Sequence, residues 1–271
     1  MKLLIVGNSE QPEFRFVLNR IPAEIFQKKI AFDYEKSELP DWIPTLVLVL
    51  QSFPGEFSSA EMDTLKTHFP ISPRVVIQGS WCEGSRRTDP PPKGIHYLYW
   101  HEFHTLFPTE YAAWQKGLGT IWSQPEMGER DLWFLEEVHR PVEIPNFSPA
   151  PLTFRIQTED YALYALLRDI FLRDAYWQKS ISILPFSTTE TSYDVLLFDF
   201  PDFQPATRER FSEFLLHTTP EKTVTFSEFP RVKEWLWLES LGVTALFSKP
   251  FRIRDLLRQS YPCFSLKKPN S

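Results

Sequence analysis

The sequence predicts an α/β protein of two open, doubly wound units in tandem. Each is a mostly parallel five-stranded sheet with helices on both faces, some crossover helices being missing. Three observations predict it. Strand-length apolar runs recur along the chain, they are apolar at consecutive rather than alternate positions, and stretches with helical spacing separate them. Runs apolar on both faces belong to a sheet covered on both sides, and strands alternating with helices pair in parallel through right-handed crossovers. The five-strand set occurs twice, within a length of 271 residues that suits one large domain or two small ones.

In the first half the strands read as Lys2 to Gly7, Ile30 to Tyr34, Thr45 to Gln51, Arg74 to Gln78 and Ile95 to Trp100. Ser58-Ser59-Ala60-Glu61 opens a helix, because a Ser cap and a Glu three residues on satisfy otherwise orphaned amides. Pro70 and Pro73 bracket its exit, and Tyr111 to Lys116 reads as a further helix end. In the second half the strands are Leu152 to Thr158, Ser180 to Leu184, Asp194 to Asp199, Thr223 to Ser227 and Val243 to Phe247. Asp160 to Arg173 carries Leu163, Leu166, Leu167 and Ile170 as a helical stripe. Further helices span about Ala206 to His217, Pro230 to Leu241 and Ile253 to Ser260, with Gly242 placed as a left-handed C-terminal residue. Too few residues separate Leu184 from Asp194 for a crossover helix, so that helix is absent or reduced to a turn. The domains are 1–116 and 151–262, joined by a proline-spaced linker over 117–150 with a short helix candidate at Glu126 to Val138, and followed by a tail at 263–271.

Composition narrows the function. A formal charge of -6 lacks the basic footprint of a nucleic-acid binder. No apolar stretch approaches membrane-spanning length, and the N-terminus reads as a first strand rather than a signal peptide. Two cysteines, Cys82 and Cys263, make no disulfide framework, which points to reduced thiols in the cytoplasm.

In doubly wound sheets ligands collect at the C-terminal ends of the strands. Those ends in the second half carry Glu159-Asp160, Asp199, Ser227 and Lys249-Pro250. Carboxylates converging on one edge repel each other unless a cation lies between them, and a hard ion such as Mg²⁺ takes oxygen ligands. A lysine beside them suits a phosphoryl group.

Asp194-Val-Leu-Leu-Phe-Asp199, the Glu159-Asp160 pair, Ser227 and Phe247-Ser-Lys-Pro-Phe251, at these spacings, resemble the receiver domain of bacterial two-component response regulators. The resemblance covers about Leu152 to Ser260 and implies a flavodoxin-like, receiver-like fold. It implies that Asp199 is the phosphoryl acceptor and that Glu159, Asp160, Asp199 and the Pro201 carbonyl hold Mg²⁺. Ser227 and Lys249 would contact the phosphoryl group, and Pro250 would carry a cis peptide. Protein partners, a histidine kinase or another signalling protein among them, are implied too. The sequence also departs from the pattern. Glu228 adds a carboxylate where the family prefers a small residue, and Leu246 stands where responsive members carry a rotating aromatic. If the site is inactive, Asp199 and Lys249 form a leftover salt bridge, Glu159 and Asp160 merely cap a helix, and the unit is a pseudo-receiver acting by protein contacts.

The first half repeats the layout without the chemistry. Gln51 occupies the acceptor position and no acid pair or Lys-Pro is present, so this unit is a degenerate receiver-like one suited to contact or ligand binding. Gly79 and Gly84 are spaced as in a phosphate-binding loop, but Ser85-Arg86 stands where Lys-Ser/Thr is needed. Cys82, His96, His101 and His104 are irregularly spaced for a metal site. Trp81, Trp100, Trp114 and Trp122 are expected in packing. The reading from another class is a small-molecule or nucleotide-binding enzyme on the first unit, dependent on Cys82 or His101.

Overall fold

A computed structural model describes residues 1–30, 38–84, 95–117, 120, 122, 152–173, 181–186, 189, 191–249, 251 and 253–260. The chain divides into two compact units, Met1–Glu126 and Met127–Ser271. Each contains one five-stranded sheet in which every pairing is parallel. The linker helix candidate, residues 85–94 with Arg86, Pro250 and the C-terminal tail lie outside the described residues. Among the described residues no helix is long and apolar enough to cross a membrane.

The first unit runs β1 (Lys2–Gly7), α1 (Pro12–Leu18), β2 (Phe26–Ile30), β3 (Leu46–Gln51), α2 (Ser59–His68), β4 (Arg74–Gln78), a 3₁₀ turn (Ser80–Cys82), β5 (His96–Tyr99) and α3 (Trp100–Gln115). The strand order is β2-β1-β3-β4-β5, with β1 and β3 central and almost wholly apolar. The second strand, expected at about Ile30 to Tyr34, is described over Phe26–Ile30 and so begins four residues earlier, while residues 31–34 lie outside the described residues. It is a sheet edge paired on one side only, so Gln27, Lys28 and Lys29 stay partly exposed, and lysines on an edge deter unwanted pairing. The predicted fifth strand also stops one residue early, because Trp100 opens α3. Only the end of that helix was predicted, since Pro108 lies inside it and reads as a break. The Ser58 cap is formed as expected, with the Glu61 N–H donating to Ser58 Oγ and the Ser58 N–H to Glu61 Oε2.

α3 supplies an aromatic ladder. Phe103 stacks with Phe107 at 5.1 Å, and Phe107 with Trp122 at 6.0 Å. Trp100 and Trp122 are buried as expected, whereas Trp81 on the 3₁₀ turn is 83% exposed. His104 stacks on Phe16 at 4.2 Å, and burial, reinforced by the positive charge of Arg20, pushes its pKa down to about 3. The unfolded chain then takes up a proton near the ordinary 6.5 that the folded chain refuses. This contribution is whole above that pH and is lost as pH falls towards 3, at about 1.4 kcal/mol per pH unit. Urea unfolding at pH 7 and pH 5 should show a loss of about 2 kcal/mol, and His104→Phe should flatten the difference.

The second unit runs β6 (Leu152–Gln157), α4 (Tyr161–Arg173), β7 (Ile181–Ile183), β8 (Val195–Asp199), α5 (Pro205–Leu216), β9 (Lys222–Ser227), α6 (Val232–Ser240), β10 (Ala245–Ser248) and α7 (Ile253–Ser260). The order is β10-β9-β8-β6-β7. On one face Phe154, Ile156, Val195, Leu197, Val224, Phe226 and Phe247 pack against Tyr164, Leu167 and Phe171 of α4 and Leu256 of α7. The alternate residues Leu196 and Phe198 point the other way, where Phe198 meets Phe211 of α5 at 4.7 Å. As expected, no helix is described between β7 and β8. The guanidinium of Arg155, on that second face of β6, lies 4.6 Å from the Phe214 ring and 5.8 Å from that of Tyr193, an aromatic cover for a cation that burial otherwise penalises. Both strand orders are those of a flavodoxin-like α/β fold, with the direction of winding reversing between β1 and β3 in one unit and between β6 and β8 in the other.

Candidate functional site

Register places the polar residues of the second unit at one level. Gln157 pairs with Phe198, Asp199 with Phe226 and Ser248 with Ser227, so β6, β8, β9 and β10 all end at the same edge. An open cleft of about 380 Å³ lies there, at the reversal between β6 and β8, lined by Glu159, Asp160, Asp199, Pro201, Glu228 and Lys249. Its four carboxylates outnumber its one ammonium, so it attracts cations.

Asp199 is fixed from beneath and from both sides. The next residue, Phe200, is fully buried, donates its N–H to the Phe226 carbonyl, and packs on Phe203 at 4.8 Å and Phe211 at 4.9 Å. Lys249 Nζ reaches Asp199 Oδ1 at 2.9 Å, the two side chains being 25% and 10% exposed. The Thr158 hydroxyl donates to Asp199 Oδ2, also at 2.9 Å. Lys249 is itself aligned by its backbone N–H, which donates to the Ser227 carbonyl.

The rim carboxylates have partners as well. Asp160 is the N-cap of α4, its Oδ1 accepting from the N–H groups of Ala162 and Leu163 at 2.8 and 3.2 Å. Glu159 Oε1 forms a 2.6 Å ion pair with Arg210 of α5, both side chains well exposed. The loop leading to that helix is set by Asp202, whose Oδ1 accepts from the Thr207 hydroxyl and the Gln204 N–H. Those two bonds hold its carboxyl below the usual carboxylate range. Among the described residues no group of three or more His, Cys, Asp or Glu side chains is gathered as a ready metal set. The donors are nonetheless hard oxygens around one acidic cleft, the chemistry that Mg²⁺ accepts through one or two carboxylates and water.

Five of the six predicted site residues, Glu159, Asp160, Asp199, Pro201 and Lys249, therefore line one cleft. Ser227 does not: it is 2% exposed, and its hydroxyl donates to the Glu228 carbonyl. Glu228 takes its place on the lining, and Phe229 just after it adopts φ 46°, a strained turn for a bulky residue. Sequence reasoning missed Thr158 and Arg210. A threonine closing a strand reads as a β-former and an arginine on a helix as a solvated charge, so neither carried a signal.

In the first unit Gln51 accepts at 3.2 Å from the Gln78 side chain, and the buried Cys82 thiol contacts the Gln51 carbonyl at 3.5 Å. His101 is 2% exposed.

No protein-family model matches the chain, and no curated protein matches it. Among solved structures it is similar to a putative two-component system response regulator/GGDEF domain protein, at 11% identity over 94% of both chains with a TM-score of 0.28. It is also similar to the C-terminus of E. coli RcsC, containing linker region and phosphoreceiver domain, at 13% identity over 95% of this chain and 90% of that one, with a TM-score of 0.28. The fold class rests on the two strand orders and not on these overlaps.

Proposed function

We propose that the chain is a signal-transduction regulator whose second unit is an atypical receiver-like module that takes a phosphoryl group on Asp199. The observation that carries this reading is the Asp199–Lys249 pair inside an acidic cleft at the winding reversal of the sheet. A carboxylate oxygen of Asp199 attacks phosphorus in line, and the donor's bond to phosphorus breaks with its electron pair leaving on the donor. Lys249 moves its charge onto the phosphoryl oxygens as Asp199 gives up its own. Glu159, Asp160, Asp199 and the Pro201 carbonyl are the groups that would hold Mg²⁺, whose chemistry is to neutralise the transferring phosphoryl group. Ser227 would take part only by turning its hydroxyl away from the Glu228 carbonyl. Gln51 offers no carboxylate, so the first unit serves contact or ligand binding. The role is regulatory and is exercised through protein partners such as a kinase.

A second reading is favoured by a specific observation: both oxygens of Asp199 are engaged, Glu159 is paired and Asp160 is spent on a cap. Under it the unit is a pseudo-receiver that acts by protein contacts alone. One titration separates the two. Trp237 lies 6.1 Å from Phe200, next to Asp199, and reports on that loop. Phosphoryl acceptance predicts a saturable tryptophan fluorescence change that requires both Mg²⁺ and beryllium fluoride. A well-folded protein silent to both would be a pseudo-receiver.

A further inference from the structure

We infer that Thr158 is a positioning residue for Asp199, and that its hydroxyl decides which carboxylate oxygen reacts. This rests on the phosphoryl-acceptor reading above. Thr158 is 6% exposed and stands between two groups. Its Oγ1 accepts the Asp160 N–H at 3.0 Å, and its proton goes to Asp199 Oδ2 at 2.9 Å. A hydroxyl has one proton to give; with an amide N–H aimed at its lone pair and a carboxylate on the other side, only this direction satisfies all three groups.

An aspartate carboxylate otherwise turns freely between two equivalent orientations. Here the two oxygens are held by unlike partners. Lys249, on Oδ1, has a long flexible stem and is the more exposed partner of the pair, so its ammonium can follow charge onto an incoming phosphoryl group without leaving the cleft. Thr158, on Oδ2, is short, β-branched, buried and tied to the backbone at Asp160. Oδ1 is therefore the oxygen that is released to react. Its lone pair forms the bond to phosphorus while the bond from phosphorus to the donor breaks and the electron pair departs with the donor. Oδ2 remains as the carbonyl oxygen of the acyl phosphate, still accepting from Thr158, which keeps its proton throughout.

The test uses the full chain, with acetyl phosphate and Mg²⁺, and follows phosphoryl incorporation by intact mass. Thr158→Val keeps the shape and removes the hydroxyl. It should slow incorporation at saturating donor about tenfold, the scale of one hydrogen bond to a charged group, with the half-saturating donor concentration unchanged. Thr158→Ser, which restores the hydroxyl, should stay within about twofold of wild type on the same reasoning. If the valine variant does not fold, Thr158→Ala takes its place; a water that enters can meet the Asp160 amide but is not fixed by a side chain, so incorporation should still slow, by less than about tenfold. A hydroxyl-free variant as fast as wild type, or a serine variant as slow as the valine one, overturns the assignment alone. A wild-type chain that takes no phosphoryl group removes the proposed function and this assignment with it.

Discussion

Asp199→Asn should abolish phosphoryl incorporation from acetyl phosphate while leaving the second unit folded. The amide keeps the shape and still accepts from Thr158, but its nitrogen is no nucleophile and its oxygen carries no charge to attack phosphorus. The cost to stability is set by two opposed effects. Lys249 loses a partner 2.9 Å away, and breaking a fully buried pair is strongly destabilising, by about 3 kcal/mol or more. Lys249 is a quarter exposed, however, and Glu228 and Asp160 line the same cleft, so water and neighbouring carboxylates screen the loss. Removing one of four carboxylates also relieves their mutual repulsion. The net change should lie within about 1 kcal/mol, read from the denaturant midpoint beside the mass assay. A variant that is still labelled would place the acceptor elsewhere. A large stability loss in a chain whose wild type takes no label would mark the pair as purely structural.

Gly7→Ala should be the most damaging small substitution in the first unit. Gly7 closes β1 opposite Leu50 of β3, in the central pairing of the sheet, with φ 113°. A Cβ there would lie 2.6 Å from the Leu50 carbonyl oxygen and 3.3 Å from the Leu50 Cβ. That oxygen is backbone inside a sheet and cannot swing aside as a flexible side chain would. Backbone strain at the left-handed φ and overpacking against β3 add, giving a loss of about 3 kcal/mol or more. Gly55 is the matched control: its φ is 77°, but nothing lies within 4 Å of an added Cβ. Gly55→Ala should cost only the conformational part, about 1 kcal/mol. Urea unfolding of the two variants beside wild type would separate the steric from the conformational contribution, and equal midpoints would refute the clash.

The most legible elements were those whose pattern and environment agree. β1, β3, β4 and β8 are interior strands buried on both faces, so their middle residues are apolar at consecutive positions and the run announced itself. The start of β2 was missed by four residues because Phe26-Gln-Lys-Lys-Ile30 is an edge strand paired on one side, with nothing to make its middle apolar. α3 was all but invisible, because a helix buried on most of its surface has no amphipathic stripe and Pro108 interrupts it. α1, with Pro12 at its first position, is too short for its spacing to stand out.

Within the site the acidic edge was readable from the chain alone: Glu159, Asp160, Asp199 and Lys249 each follow or close a recognisable strand, and parallel strands bring those ends to one level. It also contained the competing use of Asp160 as a helix cap. How these groups are paired emerges only in the folded chain. Lys249 reaches one oxygen of Asp199 and Thr158 the other, Glu159 is drawn to Arg210 from a different crossover, and Ser227 turns into the chain and yields its place to Glu228. The reason is physical. Strand periodicity fixes the level and the face of a residue, but a hydrogen bond depends on a few tenths of an ångström between groups brought together across the sheet, and no local pattern encodes that distance.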